Sequence, residues 1–209
     1  MYNTTIEILP SIPSGNPTDI QHILKKAKES QILLVEPFLT GTDTLNDMLE
    51  QHQNQEDTSD LFNQLRNKFF QLARHFSTSD ALLADISDDF VEMEWILDDP
   101  AEDNKAFVKD QLLTVMTVIS SRIVFGYFHE EDATAHWIDA RDLFLADNNY
   151  GNGNLLEEES KKRCRTVLKI IHSDERVIIP AGIAATTENF NITLGENGST
   201  KILQLLKSV

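Results

Sequence analysis

The sequence holds a single cysteine, Cys164, so it can form no internal disulfide and has no CxxC partner for a zinc site. That scarcity fits a reducing, cytoplasmic compartment. Cys164 lies in a Lys/Arg-rich helical stretch and reads as a helix residue, with a reactive thiol as the lesser alternative. Basic residues are also few: 18 against 34 acids, for a net charge of -16. A chain this acidic repels polyanions, which argues against nucleic-acid and membrane partners. The N-terminal MYNTTIEILPSIPSG lacks a basic segment followed by an apolar one, so no signal peptide is expected. The most apolar run, residues 112–128, is broken by Arg122 and two serines and is short for a bilayer span. A buried central helix is the expectation.

Several site signatures are missing. Six histidines are scattered without an HxH or HxxxH pair, and neither GxSxG nor a P-loop occurs. The acid-rich segment DISDDFVEMEWILDDPAED (85–103) has no glycine for the sharp turn of an EF-hand. It reads as the solvated face of a helix, and no metal site is expected.

What is present suits one α/β domain. With 209 residues and 41% hydrophobic content, a substantial core is available. Strands are expected at 5–9, 32–36, 133–139 and 176–182, with a fifth at 190–194. Helices are expected at 19–30, capped by Thr18, and at 105–128. Residues 44–77 and 79–98 carry apolar residues at 3–4 spacing and read as an αα-hairpin. HQNQEDTSD (52–60) is the best flexible link. Strands separated by helices indicate a mostly parallel sheet covered on both faces, a three-layer αβα fold with a helical insertion over about 44–105.

Two segments carry chemistry. In WIDARDLFLADNNYGNGN (137–154), Asp139 and Arg141 follow the end of a strand, where open α/β sheets bind ligands. They either touch a ligand or brace the sheet edge. In LGENGST (194–200), two glycines and a Ser-Thr pair open a helix, the outline of an anion-holding loop. Glu196 places a negative charge inside it.

WIDARDLFLADNNYGN and VIIPAGIAATTENFNITLGENGST resemble the W-x-D-A-R-x-x-x-x-T-D-x-x-[FY]-G and G-F-I-G-A-T…T-T-L-G-R-x-G-S-D blocks of aspartate kinases, in the amino-acid kinase family. The upstream segments follow in the same order, over nearly the whole chain. The resemblance implies the N-terminal, amino-acid-binding half of that fold, a single domain over 1–209. The nucleotide-binding half is expected to be absent from this chain.

The departures are informative. The family's K-F-G-G-T-S loop falls on Pro10, Ser11, Ile12, Pro13, Ser14 and Gly15, so the family lysine is Pro10. Proline supplies neither charge nor N–H. The family's Gly-Glu pair falls on Asp110-Gln111. The phenylalanine of G-F-I-G falls on Gly182, the substrate-holding arginine on Glu196 and the closing aspartate on Thr200. Thr42 and Ser199 keep their identities.

The resemblance thus implies a substrate pocket at Thr42, Gln111, Glu196 and Ser199, with no catalytic residue retained. The first expectation is a pseudoenzyme acting as a regulatory or interaction module. It would need no cofactor and would self-associate, or bind another protein, at an open sheet edge left apolar. One alternative is a working aspartate kinase using ATP and Mg in amino-acid biosynthesis, with Arg141, Lys109 or Lys201 supplying charge. The other is an amino-acid-binding module for a neutral or cationic ligand.

Overall fold

In the computed structural model, which describes residues 5–12, 15–99, 104–132, 134–169, 172 and 175–209, the chain opens with β1 (Ile6–Leu9), α1 (Pro17–Lys26) and β2 (Ile32–Val35). Pro13, Ser14 and Ala133 lie outside the described residues. Asn16, not Thr18, caps α1: its side chain accepts from the Thr18 N–H, and Pro17 takes the first helical position. A missing N–H costs nothing there.

Helices α2 (Leu39–Gln53), α3 (Ser59–Phe76), α4 (Asp80–Asp98) and α5 (Lys105–Glu131) follow. The 44–77 stretch is two helices, parted at the polar segment 54–58. The rest comprises β3 (Ala135–Trp137), α6 (Ala140–Leu143), β4 (Leu145–Ala146), α7 (Glu157–Leu168), β5 (Arg176–Pro180), β6 (Ile183–Thr186), β7 (Asn191–Thr193) and α8 (Gly198–Lys207).

The main sheet has the order β1-β2-β5-β3 and is parallel throughout. All four residues of β2 are buried, as an unbroken apolar run requires when both faces are covered. The alternation of side chains divides the core in two. Leu33, Val35 and Ile178 face one cluster, with α1 to α5. Ile32, Leu34, Val177 and Ile179 face the other, with α6 to α8. The fold is α/β, with a mostly parallel sheet flanked by helices.

A second, three-stranded sheet was not legible beforehand. It runs β4-β6-β7, parallel then antiparallel. The apolar run after Arg176 is two strands rather than one, turned at Gly182, whose φ is 71°. A side chain rarely adopts that conformation.

Helix α5 is long and apolar enough to cross a membrane by composition, yet it is mostly buried within the fold. It touches α2, α3 and α4 as well as both sheets, which explains its apolar character on every side. Cys164 is fully buried on α7, and burial pushes its thiol up to about 11. It is a packed helix residue.

Between α4 and α5, the Asp89 carboxylate lies 2.7 Å from Arg122 Nε without hydrogen-bond alignment. The Arg122 guanidinium lies 3.9 Å from the centre of the Trp137 ring. Burial outweighs the attraction of Arg122 and pushes the Asp89 carboxyl up from 3.8 to about 6. The folded chain therefore holds this proton more tightly than the unfolded chain. The resulting stabilisation is present at low pH and is lost as pH rises through that window. Relative to Asp89→Asn, the native protein should lose roughly 2 kcal/mol between about pH 4 and pH 6.5. Thermal melts of both proteins across this range check the prediction, and parallel pH profiles would contradict it.

Candidate functional site

The carboxyl ends of β1, β2 and β5 open into a cavity of about 370 Å³. In open α/β sheets this is where ligands bind. Ser11 enters just beyond β1, Glu36 and Pro37 beyond β2, and Ala181 and Gly182 beyond β5. The first turns of α5 contribute Lys109, Asp110, Leu113 and Thr117, and Thr193 comes from β7. Gly195, Glu196 and Ser199 close the cavity at the start of α8. Gly195 has a φ of 73°, and a Cβ there would collide with the Asn152 side chain. Only glycine fits that turn.

Glu36 organises the sheet end. Its Oε2 accepts from the Ser11 N–H at 3.0 Å and the Ser11 hydroxyl at 3.2 Å, and its Oε1 accepts from the Ser199 hydroxyl at 2.8 Å. A carboxylate from the chain itself thus takes the two Ser11 donors and the Ser199 hydroxyl in the first turn of α8.

Asp110 organises the helix end. Its side chain is fully buried and accepts from the Gly151 N–H at 2.7 Å, the Thr193 N–H at 3.1 Å and the Thr193 hydroxyl. Burial pushes its carboxyl up, and these donors pull against that shift. Asp110 ties α5 to β7 and to the loop before α7.

The residues expected from the sequence are divided by the fold. Glu196, which is exposed, and Ser199 line the cavity. Gln111 does not. It donates to the Asn191 carbonyl at 2.7 Å and accepts from the Asn191 N–H at 3.1 Å, clamping β7 to α5. Thr42 lies within α2 and donates to the Leu39 carbonyl at 2.8 Å, away from the cavity lining. Pro10 and Thr200 are exposed and outside the lining.

Asp139 caps α6 through the Arg141 N–H and binds the Arg141 guanidinium. Arg141 reaches on to Glu92 at 3.0 Å and Asn191 at 3.2 Å. Burial opposes its charge, but Asp139 and Glu92 together raise its pKa above the usual arginine value. The pair braces α4, α6 and β7. Lys201 donates to the Leu194 and Gly153 carbonyls. A hollow of about 410 Å³ between α7 and α8 includes Lys201 and Lys161, but Lys161 pairs with Glu157 and Glu158.

Sequence reasoning missed Glu36 and Thr193 and passed over Asp110 as a site residue. Glu36 carried one usable signal: an acid directly after a fully apolar parallel strand. Among the described lining residues Lys109 is the sole cation, against the acids Glu36, Asp110 and Glu196.

No protein-family model matches the chain, and no curated protein sequence matches it significantly. Solved structures do. Escherichia coli aspartokinase III in complex with aspartate and ADP (R-state) superposes with a TM-score of 0.81 at 14% identity, over 97% of this chain and 45% of that one. The same enzyme with lysine and aspartate (T-state) gives 0.77, at the same identity and coverage. Clostridium acetobutylicum aspartate kinase gives 0.74 at 12% identity, covering 98% of this chain and 45% of its own. The fold is that of the N-terminal part of the aspartokinases, and the chain spans less than half the length of these relatives.

Proposed function

We propose that the protein is a non-catalytic, aspartokinase-like domain that acts as a regulatory or interaction module. The position of Glu36 carries this reading. Its carboxylate takes the donors of Ser11 and Ser199, in the two loops that the resemblance assigns to phosphate and to substrate carboxylate. Phosphoryl transfer needs positive charge and free donors around an anionic centre. Here the Ser11 and Ser199 donors are already used by an anion. Glu196 adds a second negative charge at the rim. Two like charges about 4 Å apart repel by roughly 1 kcal/mol in water and about 4 kcal/mol at an effective dielectric near 20.

The two other cations considered for the missing charge are engaged: Arg141 with Asp139 and Glu92, and Lys201 with backbone carbonyls. Ile6 and Ile8 on the edge strand β1 are half-buried, and no strand pairs with the outer side of β1 among the described residues. An unpaired edge of this kind favours contact with a second copy or another protein.

A second reading, an amino-acid-binding module, is favoured by the cavity itself, whose 370 Å³ is ample for an amino acid. ADP release measured with aspartate and Mg-ATP tests the principal reading. No aspartate-dependent turnover is expected, and sustained turnover would overturn it.

A further inference from the structure

The cavity carries both signs of charge, arranged unequally. Glu36 lines it from the end of β2, and Lys109 lines it from α5. Lys109 forms no salt bridge among the described residues; it lines the cavity as an exposed cation whose charge also favours the ionised form of Asp110 beside it. Ser199, nine-tenths buried, fixes the Glu36 carboxylate in place.

The two inner carboxylates differ in what they have left to give. Asp110 already receives three hydrogen bonds in a fully buried setting, and its role is to join α5 to β7. Glu36 is only half-buried and also receives three, which leaves about one of the four acceptor sites of a carboxylate for a ligand. A cationic donor is the group that best completes it. Glu196 stands at the rim, where it opposes any second negative group on the ligand.

We infer that this cavity binds an α-amino acid with a neutral or basic side chain, its ammonium group on Glu36 and its carboxylate towards Lys109. The inference rests on the binding reading above and assigns its ligand class. Glu36 is the ammonium receptor, and Glu196 is the selectivity residue that turns away acidic amino acids. Gly182, where the resembled family carries phenylalanine, leaves the wall beside Ser199 without a side chain.

Isothermal titration calorimetry of the 209-residue chain with L-lysine, L-glutamine and L-aspartate tests this. Lysine and glutamine should bind saturably, with aspartate at least about tenfold weaker, as expected when a ligand brings an unpaired like charge. Glu36→Gln should weaken lysine and glutamine at least about tenfold. Glu196→Gln alters an exposed side chain and keeps the fold, and it should narrow the gap between aspartate and glutamine. Aspartate binding as tightly as glutamine would overturn the inference. So would an unchanged affinity in folded Glu36→Gln, an unchanged gap in Glu196→Gln, or no saturation with any of the three. ATP turnover fails or succeeds independently of this order, so the non-catalytic reading and the ligand assignment are judged separately.

Discussion

Phe69→Ala is expected to destabilise the fold by about 3–5 kcal/mol. Phe69 is fully buried on α3. Its ring stacks against Phe38 at 6.3 Å and meets Phe90 edge-on at 6.5 Å. Phe38 opens α2, so the contact ties three helices to the end of β2. The backbone comes close as well: a Cβ on Gly41 would lie 3.1 Å from the Phe69 ring and 2.9 Å from Met116 Sδ. Truncation leaves a space walled by Phe38 and Phe90, beside helices that are themselves packed against α5. Such a site collapses poorly, and the cost of a cavity grows with the volume left behind. Phe70→Ala is the control. Phe70 is partly exposed and stacks on the same Phe90 ring at 6.0 Å, so its loss should cost clearly less. Urea midpoints measure both, and equal losses would contradict the packing argument.

Arg141→Met is expected to cost about 2–4 kcal/mol, a figure set below the loss for breaking a fully buried pair because the side chain stays partly solvated. The methionine stem preserves much of the packing, so the experiment isolates the charge. Removing it leaves Asp139, 15% exposed, without its bidentate partner, and Glu92 with the Asn191 amide alone. Three elements lose their shared anchor at once. Urea midpoints of the wild type and the variant check this, and an unchanged midpoint would contradict the anchoring role of Arg141.

The layout of the fold was readable where one physical demand dominated. The four apolar residues of β2 could satisfy their surroundings only as a strand covered on both sides. The all-round apolar surface of α5 required a central helix. The pattern failed where elements were too short to show a period. β4 has two residues, and β6 is hidden in the apolar run that follows β5, separated from it by a turn at Gly182.

The site was half-readable for a geometric reason. Asp110 and Gln111 are neighbours in sequence but point about 100° apart around the helix axis. That rotation sends Asp110 to the cavity and Gln111 to the Asn191 backbone. The acidic character of LGENGST was legible in Glu196. The larger cause of the altered charge, Glu36, belongs to a distant segment and met the loop only through folding. The anion expected in that loop is thus supplied by the chain itself.

Titration of L-aspartate into the wild-type chain, followed by calorimetry with and without Mg-ATP, tests the central claim most directly. A cavity whose Ser11 and Ser199 donors are held by Glu36 and whose rim carries Glu196 should bind aspartate only weakly, with no tightening when Mg-ATP is added. Saturable aspartate binding that tightens with Mg-ATP would contradict the account and restore a working kinase site.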